Sequence, residues 1–132
     1  MITKVLSAAR ARIERYAPAE AASADALIVA LRCDDARRRD GIVPGSVHVP
    51  RSVLEWRADP TSGWSNPALA GRKLILMCDH GYSSSLAAIS LSELAIDAAD
   101  LVGGFEAWVA AGLPTAPAPE PAPGLPGMGG PQ

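Results

Sequence analysis

The sequence predicts an α/β fold built on a parallel sheet, from three observations. Leu27–Leu31 (LIVAL) and Leu74–Cys78 (LILMC) are short, continuous apolar runs bounded by polar or glycine-containing stretches, the signature of strands buried on both faces. Helical patterns lie between the runs. Strands alternating with helices of this length require crossover connections, which parallel pairing demands.

The elements follow in chain order. Ile13–Tyr16 reads as an edge strand, or as the end of a helix running through from Thr3. Asp34–Asp40 is a charged, mostly exposed helix after the first buried strand. Ser46–Val49 is a shorter strand, Val53–Arg57 a short helix. In Ser84–Ala95, Ala87, Leu91 and Leu94 recur at spacings of four and three on one face. Asp100–Val102 is a last short strand and Phe105–Ala111 a last helix, stopped by Gly112 and Pro114. Trp56, Trp64 and Trp108 read as packing anchors, and His48 as a structural residue. Pro114–Gln132 holds seven of the 12 prolines in 19 residues and no Lys or Arg. Its apolar content is too sparse to offset ordering, so the expected organisation is a domain over residues 1–113 and a disordered Pro/Gly-rich tail over 114–132.

Composition narrows the function. The chain has 132 residues, 48% hydrophobic and only 5% aromatic, with a formal net charge of -2. That length is one domain's worth. Without a basic field the sequence does not favour nucleic acid or anionic membrane as partners. No apolar run reaches the ~18 to 20 residues of a membrane span. Two cysteines and two histidines are too few for a disulfide scaffold or a zinc site, so the expectation is a cytoplasmic protein with reduced thiols and no metal.

The chemistry concentrates in Leu74–Ala88, LILMCDHGYSSSLAA. A buried strand ends at Cys78, where an open parallel sheet binds its ligands, and a helix starts at Ser83 or Ser84. Gly81 lets the loop Asp79–Ser83 turn its amides toward the sulfur, and the helix adds its positive N-terminus. These features favour a thiolate at Cys78 and hence a nucleophile. Asp79 opposes this by like charge, while a protonated His80 would assist. Ser83, Ser84 and Ser85 are N-cap candidates, and Tyr82 is a loop-rim residue or a substrate contact. Arg51 and Arg57 are candidates for the pocket rim. Cys33 lies just past the strand Leu27–Leu31.

The chain resembles the rhodanese-like domains, single-domain sulfurtransferases of α/β fold. Ile42–Trp56 (IVPGSVHVPRSVLEW) is similar to the family's I-P-G-A-x-x-I-P segment, LILMCDHGYSSSLAA to its C-x-x-G-x-R-S loop, and Asp100–Pro114 (DLVGGFEAWVAAGLP) to its closing L-x-G-G-x-x-A-W-x-x-A-G-x-P. The likeness covers nearly all of residues 12–114. It implies a five-stranded parallel sheet with helices on both faces, and Cys78 as the residue that takes sulfur from a donor, holds it as a persulfide among the amides of Asp79–Ser84, and yields it to a thiol, a cyanide-like acceptor or a protein acceptor. The family's strand order also implies that the strand before Cys33 lies beside the one ending at Cys78, which makes Cys33 a candidate resolving thiol. That chemistry needs no cofactor. Two departures stand out: Ser83 occupies the usual arginine position, and Ala30 replaces an aspartate two residues before Arg32. Losing the loop arginine weakens the case for dianionic thiosulfate, favours a persulfide donor, and speaks against the related phosphatases, which grip phosphate with that arginine. A non-catalytic binding or sulfur-carrier module on the same fold is the alternative reading.

Overall fold

In the computed structural model, residues 1–120, 128, 130 and 131 are described. The elements are α1 (Ile2–Arg10), β1 (Arg15–Tyr16), α2 (Pro18–Ser23), β2 (Leu27–Ala30), α3 (Asp34–Asp40), β3 (Val47–His48), α4 (Leu54–Ala58), β4 (Leu74–Met77), α5 (Ser83–Glu93), β5 (Ala98–Leu101), α6 (Gly104–Ala110) and β6 (Gly130–Pro131). The sheet runs β1-β5-β4-β2-β3-β6. The first five strands are all parallel, as expected, and β6 joins the edge antiparallel to β3.

The continuous apolar runs fold as strands because both of their faces are covered. In β2 and β4, Leu27, Val29, Leu74 and Leu76 enter one core with Leu54 of α4 and Ala87, Ala88 and Leu91 of α5. The alternate residues Ile28, Ala30, Ile75 and Met77 enter a second core with Ala21 of α2 and Phe105 and Trp108 of α6. This is the period of two expected of a strand, read into two cores instead of one. All four β4 side chains have zero exposure. Burial of side chains of this size contributes about 1.5–3 kcal/mol each.

Of the two readings of the N-terminal segment the edge strand holds: β1 pairs beside β5 at the edge of the sheet, and α1 ends at Arg10 instead of running through. Two expectations change. Trp56 and Trp64 are 56% and 59% exposed, so only Trp108 is a buried anchor, its indole N–H donating to the Pro114 carbonyl at 2.8 Å. The start of the expected disordered tail is held to the domain, with Ala116 bridging Ile42 through reciprocal backbone bonds of 2.8 and 2.9 Å. The rest of that expectation, over 121–127, 129 and 132, lies outside the described residues. His48 is buried with Nδ1 2.9 Å from an Arg37 nitrogen and Nε2 2.8 Å from the Arg32 carbonyl, as suits a structural residue. These partners place its proton on Nε2.

Candidate active site

Parallel packing of β2, β4 and β5 brings their carboxyl ends to one edge, and Cys78 is the first residue past β4. Its side chain is buried and both cysteines are free thiols. The loop from Cys78 to Tyr82 closes on the sulfur, with the Gly81 N–H donating to Cys78 Sγ at 3.1 Å. Burial raises the thiol pKa, but hydrogen bonds from the Ser84 and Ser83 hydroxyls and from the Ser84 and Gly81 amides outweigh it, so Cys78 ionises below its ordinary value.

The loop is held in this form from outside. In a trans peptide the C=O and the next N–H point in opposite directions, so gripping the carbonyl aims the amide. The Phe105 N–H donates to the Cys78 carbonyl at 2.8 Å and the Glu106 N–H to the Asp79 carbonyl at 3.0 Å. The N–H groups of Asp79 and His80 therefore point away from α6. On the other flank Arg10 and Arg15 donate to the Gly81 carbonyl at 2.8 and 3.4 Å, which turns the Tyr82 N–H away from them.

Glycine is required at the two closest approaches between loop and α6. A Cβ on Gly81, at φ +85°, would lie 2.6 Å from Gly103 N, and one on Gly104, at φ +63°, would lie 2.4 Å from the Cys78 carbonyl oxygen. Both distances are shorter than non-bonded contact allows, and both residues occupy the left-handed region. The closing G-G pair of the sequence thus serves the cysteine loop directly.

The side chains named from the sequence differ in what they reach. Ser83 and Ser84, at the start of α5, supply the hydroxyls that help lower the Cys78 pKa. Asp79 and His80 do not turn inward: Asp79 pairs with Arg32 Nε at 2.7 Å, and His80 Nδ1 lies 2.6 Å from Glu106 Oε2. Both border an open cavity of about 390 Å³ with Arg39, Asp40, Phe105 and Val109. Tyr82 is exposed, with the Arg10 guanidinium 5.7 Å from its ring centre. Arg51 is paired with Glu55 at 2.9 Å, and Arg57 is buried with one nitrogen donating to the Trp64 carbonyl at 2.8 Å. Cys33 is exposed at the start of α3.

Sequence reasoning missed a buried polar cluster behind the loop. Asp100, on β5 with zero exposure, accepts from Ser84 Oγ at 2.9 Å and Ser85 Oγ at 2.7 Å on one oxygen. Arg15 donates to both carboxylate oxygens, at 2.8 and 3.2 Å, and Arg10 donates to Ser85 Oγ at 3.2 Å. A carboxylate with this many donors is satisfied despite its burial. The apolar context AADLV hides it, and Arg15 lies 85 residues away in sequence.

Comparisons with known proteins agree with this geometry. The family model of the rhodanese-like domain matches residues 14–111. A solved structure from Rhodopseudomonas palustris, described as a protein of unknown function and possible tyrosine phosphatase, is 32% identical, with a TM-score of 0.81 over 88% of this chain and 94% of that one. The thiosulfate sulfurtransferase of Pseudomonas aeruginosa shares the fold at 23% identity and a TM-score of 0.65, over 81% of this chain but 20% of that longer one. The polysulfide-sulfur transferase of Wolinella succinogenes does so at 21% and 0.63, over 87% and 86%. No curated protein sequence matches. With the cysteine loop, the parallel sheet and the family match over most of its length, the chain belongs to the rhodanese-like domain family.

Proposed function

We propose that the protein is a sulfurtransferase that moves sulfane sulfur through a persulfide on Cys78. The observation that carries this reading is the 3.1 Å bond from the Gly81 amide to a buried Sγ at a strand's carboxyl end, in a loop whose carbonyls are held outward. Such a cradle stabilises a thiolate, and the amides facing the same space would stabilise the outer sulfur of a persulfide. The thiolate attacks the sulfane sulfur of a donor and expels the donor's remainder as an anion. An acceptor thiolate then attacks the outer sulfur of Cys78–S–S⁻ and leaves with it, returning the Cys78 thiolate.

The donor proposed is a low-molecular-weight or protein persulfide rather than thiosulfate. The loop contains no arginine or lysine from Cys78 to Ser85. Arg10, Arg15 and Arg32, which do reach the loop, are bonded to its own Gly81 carbonyl and Asp79 carboxylate. A dianionic donor would find dipoles there but no guanidinium within the loop. The same absence argues against phosphatase activity, the class suggested for the Rhodopseudomonas protein. The setting proposed is cytoplasmic, where the thiols stay reduced.

The test is intact-mass measurement after incubation with a low-molecular-weight persulfide or with thiosulfate. A one-sulfur gain that disappears in Cys78→Ser, followed by its loss on adding a thiol or cyanide, supports transfer. No gain from any donor overturns it in favour of a non-catalytic module, and hydrolysis of p-nitrophenyl phosphate dependent on Cys78 would favour a phosphatase.

A further inference from the structure

The amide that bonds to the Cys78 sulfur belongs to Gly81, the loop residue with the least conformational restraint of its own. Without a Cβ, its φ and ψ are fixed by the bonds it makes and not by a side chain. Its N–H donates to Sγ at 3.1 Å on one side, and on the other its carbonyl accepts from Arg10 Nη2 at 2.8 Å. Arg15 reaches the same carbonyl only at 3.4 Å, with its Nε and Nη2 also serving Asp100. The main hold on the Gly81 carbonyl is therefore Arg10. The same guanidinium donates from Nε to Ser85 Oγ at 3.2 Å and lies 5.7 Å from the Tyr82 ring centre. Ser85 is buried and spends its proton on Asp100 Oδ2 at 2.7 Å, which makes its oxygen a fixed acceptor.

We propose that Arg10 is a positioning residue for Cys78: by spanning Gly81 and Ser85 it locks the loop to the first turn of α5 and keeps the Gly81 N–H on the sulfur. Arg10 ends α1, and α1 lies outside residues 14–111, the segment that matches the rhodanese-like family. The loop that carries Ser83 in place of an arginine thus receives a guanidinium from an element beyond the family match, and receives it on its backbone. The other charged and titratable groups around the loop are paired with one another: Arg15 with Asp100, Arg32 with Asp79, and His80 with Glu106. Both acceptors of Arg10 are neutral, so replacing it disturbs the loop without leaving a buried carboxylate unpaired.

The proposal deepens the reading of Cys78 as a reactive cysteine; it rests on that reactivity but not on sulfur transfer itself, and the two fail separately. The experiment is the pH dependence of iodoacetamide alkylation of the full chain, followed on the Cys78 peptide by mass spectrometry so that Cys33 does not contribute. Arg10→Met should raise the midpoint by about 0.5–1 pH unit, the scale of one weakened hydrogen bond to a thiolate, and slow alkylation below the midpoint by roughly 3- to 10-fold. Arg10→Lys keeps the charge, but an ammonium lacks the planar fork that spans two acceptors, so it should recover less than half of that shift. Arg12→Met removes the same charge from the exposed residue two places on and should leave the midpoint where it is. An unmoved midpoint in Arg10→Met, whatever its melting temperature, would make Arg10 merely structural. Full recovery in Arg10→Lys, or an equal shift in Arg12→Met, would make it a distant charge; each of these results overturns the proposal. If Arg10→Met does not fold, Arg10→Lys decides alone, a raised midpoint supporting the proposal and a wild-type one overturning it. A protein that shows these shifts yet gains no sulfur from any donor would refute the transfer reading alone.

Discussion

Replacing Gly104 by alanine separates the cost of backbone conformation from the cost of disturbing the cysteine loop. Gly104 has φ +63°, and its added Cβ would stand 2.4 Å from the Cys78 carbonyl oxygen, with the Asp79 carbonyl carbon and oxygen at 2.7 and 2.8 Å. Gly112 has φ +74°, but a Cβ there meets nothing within 4 Å. Gly112→Ala should therefore lose only the left-handed penalty of about 1–2 kcal/mol. Gly104→Ala has the same penalty and must also move loop from helix by about 0.8–1 Å, since ordinary contact begins near 3.2–3.4 Å. That shift breaks the bonds from Phe105 and Glu106 to the loop carbonyls, each worth about 0.5–1.5 kcal/mol, for a total of roughly 2–5 kcal/mol. It also detunes the Gly81 N–H···Sγ contact, and a displacement of about 1 Å near reacting atoms can cost about 100-fold in rate. Thermal melting and the rate of sulfur loading on Cys78 read the two effects. If Gly104→Ala melted no lower than Gly112→Ala and loaded sulfur at the wild-type rate, the view that α6 shapes the loop would be wrong.

Further outcomes follow from the same geometry. Because the folded pKa of Cys78 is lowered, its contribution to stability is full above the unfolded thiol's ~8.5 and is lost as pH falls through the folded value; urea melts across that window should show stability rising with pH in the wild type and less steeply in Cys78→Ser. His48 is lowered too, by burial and then by the charge of Arg37, so the folded state resists protonating it. Stability should decline as pH drops below the unfolded imidazole's ~6.5, and His48→Gln should flatten that decline in the same melts. Arg32, 2% exposed, donates to the Gly41 and Ala36 carbonyls at 2.7 and 3.1 Å and stacks 3.8 Å from the centre of the Phe105 ring. Arg32→Met should cost about 2–4 kcal/mol by calorimetry, because both carbonyls lose their donor, and a loss under about 1 kcal/mol would show that water replaces it freely.

The parts of the fold that depend on burial were readable before any coordinates. LIVAL and LILMC name their strands by being apolar without interruption, and DDARRRD forms the expected helix over the same residues. The N-terminus was readable only as two alternatives, an edge strand or a continuous helix, because α1 and β1 are joined by only four residues and β1 is defined by pairing with β5, far away in the sequence. In the site, Cys78, Gly81, Ser83 and Ser84 announce themselves through the local spacing of a loop between strand and helix. The direction of Asp79 and His80 was not readable, because their partners, Arg32 and Glu106, come from other segments. Asp100 was missed for a related reason: a carboxylate in an apolar strand looks like an interruption until its arginine and two serines are in place.

The outward grip on the Cys78, Asp79 and Gly81 carbonyls has a kinetic corollary. Dipoles already clamped before a reactant arrives have nothing to reorganise when negative charge appears at the sulfur, so under the proposed transfer the thiolate and its sulfur-laden successor would occupy one rigid bowl. Turnover would then be paced by the meeting of donor and acceptor with the mouth of that bowl, and not by any opening or closing of the loop.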